Sequence, residues 1–142
     1  MAIFSAPPAS QRVRGLRARI VHRSGPEFPF LHDTMIAPLG GRLLMAWYNC
    51  SENEIVGRTI IRGRWSADSG RTWSAPEIIC EDPRPDCHMV PVTFTEDTGR
   101  IWAYVTRMSS HDRPTGYVCA EYCQGQWTVR RECGTPLLIN TL

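Results

Sequence analysis

The chain has 142 residues and a formal net charge of +2, with 42% hydrophobic and 21% charged residues, which describes a globular chain and excludes a disordered one. A closed eight-fold α/β barrel or a complete propeller of roughly 40 to 50 residues per blade is longer than this. Only 8 residues are Leu, none is Lys, and 11 Gly and 11 Pro punctuate the chain throughout, so the expected class is all-β.

The N-terminal stretch Met1–Gly25 lacks the apolar run a signal peptide needs, and no stretch approaches the roughly 20 apolar residues of a membrane span. The chain is therefore expected to be cytoplasmic, with no membrane partner. Leu16–His22 alternates apolar and basic residues like an exposed strand, and Gly25, Pro26 and Pro29 break it. From there the chain reads as strand, tight turn, strand, longer loop, strand, turn, strand: His32–Pro38, Gly40-Gly41, Arg42–Tyr48, a polar loop through Asn53, Val56–Ser66, a turn, and Thr72–Cys80. A second pass repeats that order. It runs through HMVPVTF from His88, a turn at Glu96–Gly99, Arg100–Met108, a polar loop around Ser109–Thr115, Gly116–Tyr122, a turn at Gln124-Gly125, and Gln126–Arg131. Gly41-Arg42 and Gly99-Arg100 each open an apolar strand and lie 58 residues apart (99 − 41). Two four-stranded antiparallel meanders of that size suit blades of a propeller, and seven or eight strands also suit a β-sandwich. The expected divisions are a leader over 1–27, with a closing outer strand, a first blade over 28–84 and a second over 85–142.

All 16 basic residues are Arg, which reflects either coding bias or recognition of carboxylate or phosphate. Acids interleave the bases, so no nucleic-acid partner is expected. Cys50, Cys80, Cys87, Cys119, Cys123 and Cys133 are expected to be reduced, three disulfides being the alternative in an exported protein. Cys80, Cys87, His88, Cys119 and Cys123 lack the paired short spacing of a zinc knuckle, so no metal and no cofactor is expected.

Ser66-Ala67-Asp68-Ser69-Gly70-Arg71-Thr72-Trp73 fits Ser-x-Asp-x-Gly-x-x-Trp at every defined position. Asp68 can accept backbone N–H groups across such a turn, Gly70 can take a positive φ, and Trp73 is expected to bury its ring between sheets. This turn resembles the Asp-box of the sialidase (neuraminidase) superfamily, and its setting, HDTMIAPLGGRLL from His32 to Leu44, is similar to that family's opening blade. Val90-Pro91-Val92 and Gly99–Trp102 resemble the next blade, with Gly125 and Trp127 left of its box. The resemblance covers about residues 28–131. It implies part of a six-bladed propeller that binds a sialoside-like glycan, with Ser66, Asp68, Gly70 and Trp73 structural and on the face away from the catalytic centre.

By that resemblance the first arginine of the family's carboxylate-binding triad falls at His32, a departure, and the general acid comes from the loop carrying Glu52 and Glu54. Glu54 and Asp33 are the candidate catalytic carboxylates, and His32 and His88, each opening an inner strand, the candidate ligand contacts. The family's Tyr–Glu nucleophile pair and later arginines correspond to no part of the chain, and Tyr104, Tyr117 and Tyr122 read as core or cross-strand residues. Two functions remain in view. One is the N-terminal part of a sialidase-like glycoside hydrolase, inactive alone; the other is a noncatalytic propeller module that binds glycan or protein. Open blade edges invite self-association in either case.

Overall fold

A computed structural model describes residues 15, 17–84, 87–110 and 113–133. Most of the leader, Pro85 and Asp86, His111 and Asp112, residues 134–142, and the side chains of Pro91, Val92 and Cys133 lie outside that description.

Among the described residues the fold is all-β: β1 (Phe30–Leu39), β2 (Arg42–Cys50), β3 (Thr59–Ser66), β4 (Glu77–Glu81), β5 (His88–Asp97), β6 (Arg100–Ser110), β7 (Arg113–Cys123) and β8 (Gln126–Cys133). They form two four-stranded antiparallel meanders, ordered β1-β2-β3-β4 and β5-β6-β7-β8. Several boundaries differ from the sequence expectation, β6 and β7 taking most of the expected loop around Ser109–Thr115, and two of them have clear local reasons. β3 begins at Thr59 because Ser51 and Arg58 close the preceding loop with Ser51 N donating to Arg58 O at 2.9 Å and Arg58 N donating to Ser51 Oγ at 2.8 Å. β4 is short because residues 72–76 belong to the turn, where Ser74 N returns to Trp65 O at 2.8 Å.

The sheets pack face to face, β5 lying across β1, β2 and β3 and β4 lying beside β8. Inner strands meet at one margin and outer strands at the other, as in neighbouring blades of a partial β-propeller. Alternation along β2 sends Leu44, Ala46 and Tyr48 into this core, opposite Met89, Val90, Ile101, Ala103 and Val105. The outer margin is aromatic: Trp65 and Trp127 stack with centroids 6.5 Å apart, and both indole N–H groups donate to Glu77 Oε1, at 2.7 and 2.8 Å. Arg42 lies over the Trp65 ring at 4.1 Å, and Gly40 N donates to Glu96 Oε2 at 2.7 Å, joining the two tight turns.

Residues 17–22 make no strand, contrary to the alternation in the sequence. The His22 ring stacks on Trp47 at 4.5 Å, so this segment covers the face of the first sheet that turns away from the second. Cys50, Cys80 and Cys87 are buried thiols and Cys123 is exposed. Burial pushes the Cys80 thiol up to about 12, with Asp82 and Cys87 adding to the effect.

Candidate functional site

In each meander the two ends differ. One end carries the tight turns and the Ser66–Trp73 loop; the other carries the start of β1, the end of β2, loop 51–58 and the start of β5. At the second end β1 and β2 pair His32 with Tyr48 and Phe30 with Cys50, and a bulge between His32 and Met35 interrupts the ladder. Asp33 lies in that bulge with φ +47°, a conformation that non-glycine residues adopt at some cost and that turns its side chain out of the strand alternation.

Tyr48 is the hub. Its ring is buried at 1% exposure, and its hydroxyl donates to Glu54 Oε1 at 3.1 Å and lies 3.3 Å from His32 Nδ1. His32 Nδ1 is also 3.1 Å from Asp33 Oδ1 and 3.7 Å from Glu54 Oε1. The single Tyr48 hydroxyl proton goes to Glu54, and His32 Nδ1 faces the Tyr48 oxygen and the Asp33 carboxylate together. His32, Asp33 and Glu54 are 51%, 49% and 38% exposed at their side chains, so a rim of one imidazole and two carboxylates faces solvent above a buried phenol. Burial first, then the Glu54 hydrogen bond and the Glu54 and Asp33 charges, raise the Tyr48 pKa well above its usual value. The phenol is neutral at physiological pH and acts as a donor.

His88 opens β5 at the same end but is not brought into this group. It is 6% exposed, and its Nδ1 lies 3.2 Å from Thr59 Oγ1, which is in turn 3.5 Å from Cys50 Sγ. Glu52 is exposed in the same loop as Glu54.

The Ser66–Trp73 loop is held at the opposite end. Asp68 Oδ1 accepts Thr72 N at 2.8 Å and Ser66 Oγ at 2.9 Å, and Oδ2 accepts Thr72 Oγ1 at 2.6 Å. The Thr72 hydroxyl and backbone bonds hold the Asp68 carboxyl down to about 2. Gly70 has φ +83° and its N donates to Ser66 Oγ at 2.8 Å. Trp73 does not enter the core between the sheets. It is half-buried and folds onto its own loop, its indole N–H donating to Gly70 O at 3.1 Å; Trp65 and Trp127 fill the place expected for it.

Tyr48 is the member of this cluster that the sequence does not point to. Its position in the apolar run RLLMAWYNC marks it as core, and only the register of His32 opposite it discloses the polar contact. Among the described residues no group of three or more His, Cys, Asp or Glu side chains is arranged to hold a metal ion, and no helix is long and apolar enough to cross a membrane.

No family model matches the chain, and no curated protein matches it. A solved structure named sialidase superposes with a TM-score of 0.57 at 20% identity, over 75% of this chain. The chain spans 13% of that protein's length. At this identity the likeness is one of fold.

Proposed function

We propose that the chain forms two adjacent blades of a sialidase-like glycoside hydrolase propeller, and that a glycan meets it at the rim formed by β1, β2 and loop 51–58. The observation that carries this reading is the convergence of His32, Asp33 and Glu54 on the Tyr48 hydroxyl, at the end of the sheet opposite the Ser66–Trp73 Asp-box. Glu54 is the general acid/base: Tyr48 fixes one carboxylate oxygen and leaves the other for a glycosidic oxygen. Asp33 orients the His32 ring, and His32 Nε2 accepts from a sugar hydroxyl. The nucleophile lies elsewhere in the complete site, because Tyr48 is held as a neutral phenol.

A second reading, a noncatalytic glycan-binding module, is favoured by the imidazole at a position where a carboxylate clamp calls for a guanidinium. The two separate by experiment. The 142-residue chain is expected not to hydrolyse a fluorogenic sialoside, and to show saturation-transfer NMR contact with sialyllactose that His32→Ala abolishes. An unsaturated, planar-ringed sialic acid analogue that binds at least ~10-fold tighter than the sialoside supports the hydrolase. Equal binding supports the module, and binding of neither defeats both. Turnover by this chain alone would refute the assignment of the nucleophile to another part of the site.

A further inference from the structure

Glu54 reaches the Tyr48 hydroxyl from a turn that its residue types do not favour. Asn53, Glu54, Ile55 and Val56 form it, closed by Val56 N donating to Asn53 O at 3.0 Å and by Glu54 N donating to Asn53 Oδ1 at 2.8 Å. Ile55 takes the third position with φ +50°, the left-handed region where glycine or asparagine is the usual occupant and a β-branched side chain is crowded. Such a conformation persists only when its surroundings hold it. Two contacts do so. The Ile55 side chain is buried in the core at 8% exposure, and Ile55 N donates to Cys50 Sγ at 3.3 Å.

That sulfur is held from the second sheet. Cys50 pairs with Thr59 in the β2–β3 ladder; its Sγ lies 3.5 Å from Thr59 Oγ1, and that oxygen lies 3.2 Å from Nδ1 of His88, the first residue of β5. Cys50 and Thr59 are fully buried and His88 nearly so, so bulk water does not compete for these bonds. A thiol, a hydroxyl and a ring nitrogen can each give or accept a hydrogen, and the row holds with its protons running in either direction. Close packing around it passes a displacement at one end to the other. Taking Glu54 as the acid/base of the rim, the reading on which this step rests, we propose that His88, Thr59 and Cys50 are a brace between the two sheets that positions Glu54. The brace fixes Ile55 in its left-handed conformation, and Ile55 aims the neighbouring carboxylate at Tyr48. All three act through Ile55, which makes them positioning residues, and the second sheet thereby serves a rim that His88 does not itself join.

NMR of the isotope-labelled chain tests this without a ligand, through hydrogen exchange at the Ile55 amide and the NOE between the Tyr48 ring and the Glu54 γ-protons. Thr59→Val keeps nearly the same shape and removes the hydroxyl that joins the row; Thr59→Ser keeps the hydroxyl. Cys50→Ala removes the acceptor of Ile55 N. In Thr59→Val and Cys50→Ala the Ile55 amide should exchange about 10-fold faster or more and the NOE should fall at least about 3-fold, with Thr59→Ser within about 2-fold of the parent. His88→Leu should behave as Thr59→Val, and His88→Asn, whose amide reaches the place of Nδ1, as Thr59→Ser. Circular dichroism checks that each variant keeps its sheets. An NOE unchanged in both Thr59→Val and Cys50→Ala overturns the proposal. So does a loss that Thr59→Ser fails to reverse, or an indifferent His88→Leu. Sialyllactose titration of the same samples separates this from the reading of the rim: affinity should fall about 10-fold in Thr59→Val and return in Thr59→Ser. A falling NOE with unchanged affinity supports the brace and refutes Glu54 as a glycan contact.

Discussion

Glu77 holds both sheets at their outer margin, and its removal gives the sharpest test of how they are joined. In Glu77→Ala the indole N–H groups of Trp65 and Trp127, at 2.7 and 2.8 Å from the same oxygen, both lose their acceptor between stacked rings. Each charge-assisted bond is worth about 1.5 kcal/mol net. Because the site is only part-buried and water can reach it, we expect the two together to cost about 2 kcal/mol. At about 3 to 4 °C per kcal/mol for a chain of this size, the midpoint should fall by roughly 6 to 8 °C. Thermal unfolding followed by tryptophan fluorescence measures it. Glu77→Gln, which keeps a neutral acceptor, is expected to lose about half as much. Trp127→Phe should cost about 1 kcal/mol less in the Glu77→Ala background than in the parent, because the bond is already gone. A Glu77→Ala chain within about 0.5 kcal/mol of the parent, or strictly additive losses, would refute the idea that this oxygen couples the sheets.

Three further outcomes follow from the geometry. A Cβ at Gly63 would lie 2.7 Å from Ile79 Cδ1 and 3.1 Å from Met45 O, so Gly63→Ala should destabilise by about 1 to 3 kcal/mol in thermal unfolding; an unchanged midpoint would mean that the first sheet is looser than described. Asp68 titrates near 2 in the fold against a usual 3.8, so its stabilisation is full above pH 3.8 and is lost as pH falls from there through about 2. The stability deficit of Asp68→Ala at neutral pH should therefore shrink across that window, and a pH-independent deficit would contradict the assignment. Tyr48, with its pKa raised from 10.0, favours the fold below pH 10 and ceases to do so as pH rises beyond it. Absorbance at alkaline pH should accordingly show one of the 4 tyrosines ionising only on unfolding, and the missing step should vanish in Tyr48→Phe.

The order of strands was readable because Gly-Arg at 41–42 and 99–100 and the polar loops punctuate alternating apolar runs, and the turn chemistry of Ser66–Trp73 is local to eight residues. What the sequence could not disclose depends on register and on contacts between sheets. Trp73 and Trp127 look equally ready to enter a core, yet Trp127 stacks on Trp65 whereas Trp73 is retained by Gly70 O. His32 and His88 both open inner strands, but the Asp33 bulge leaves one at the rim, and Thr59 of the neighbouring sheet holds the other at 3.2 Å in the interior. Leu16–His22 alternates like a strand, but residues 17–22 are not paired as one; His22 is fixed by a ring stack on Trp47, for which periodicity gives no sign.

The rim around Tyr48 is the proposed meeting place for a glycan, and residue-resolved NMR titration of the chain with sialyllactose tests that most directly. Shifts confined to His32, Asp33, Tyr48 and loop 51–58, and absent from Glu54→Gln with His32→Ala, are the predicted result. Saturating shifts at the Ser66–Trp73 end, or none at all, would contradict it.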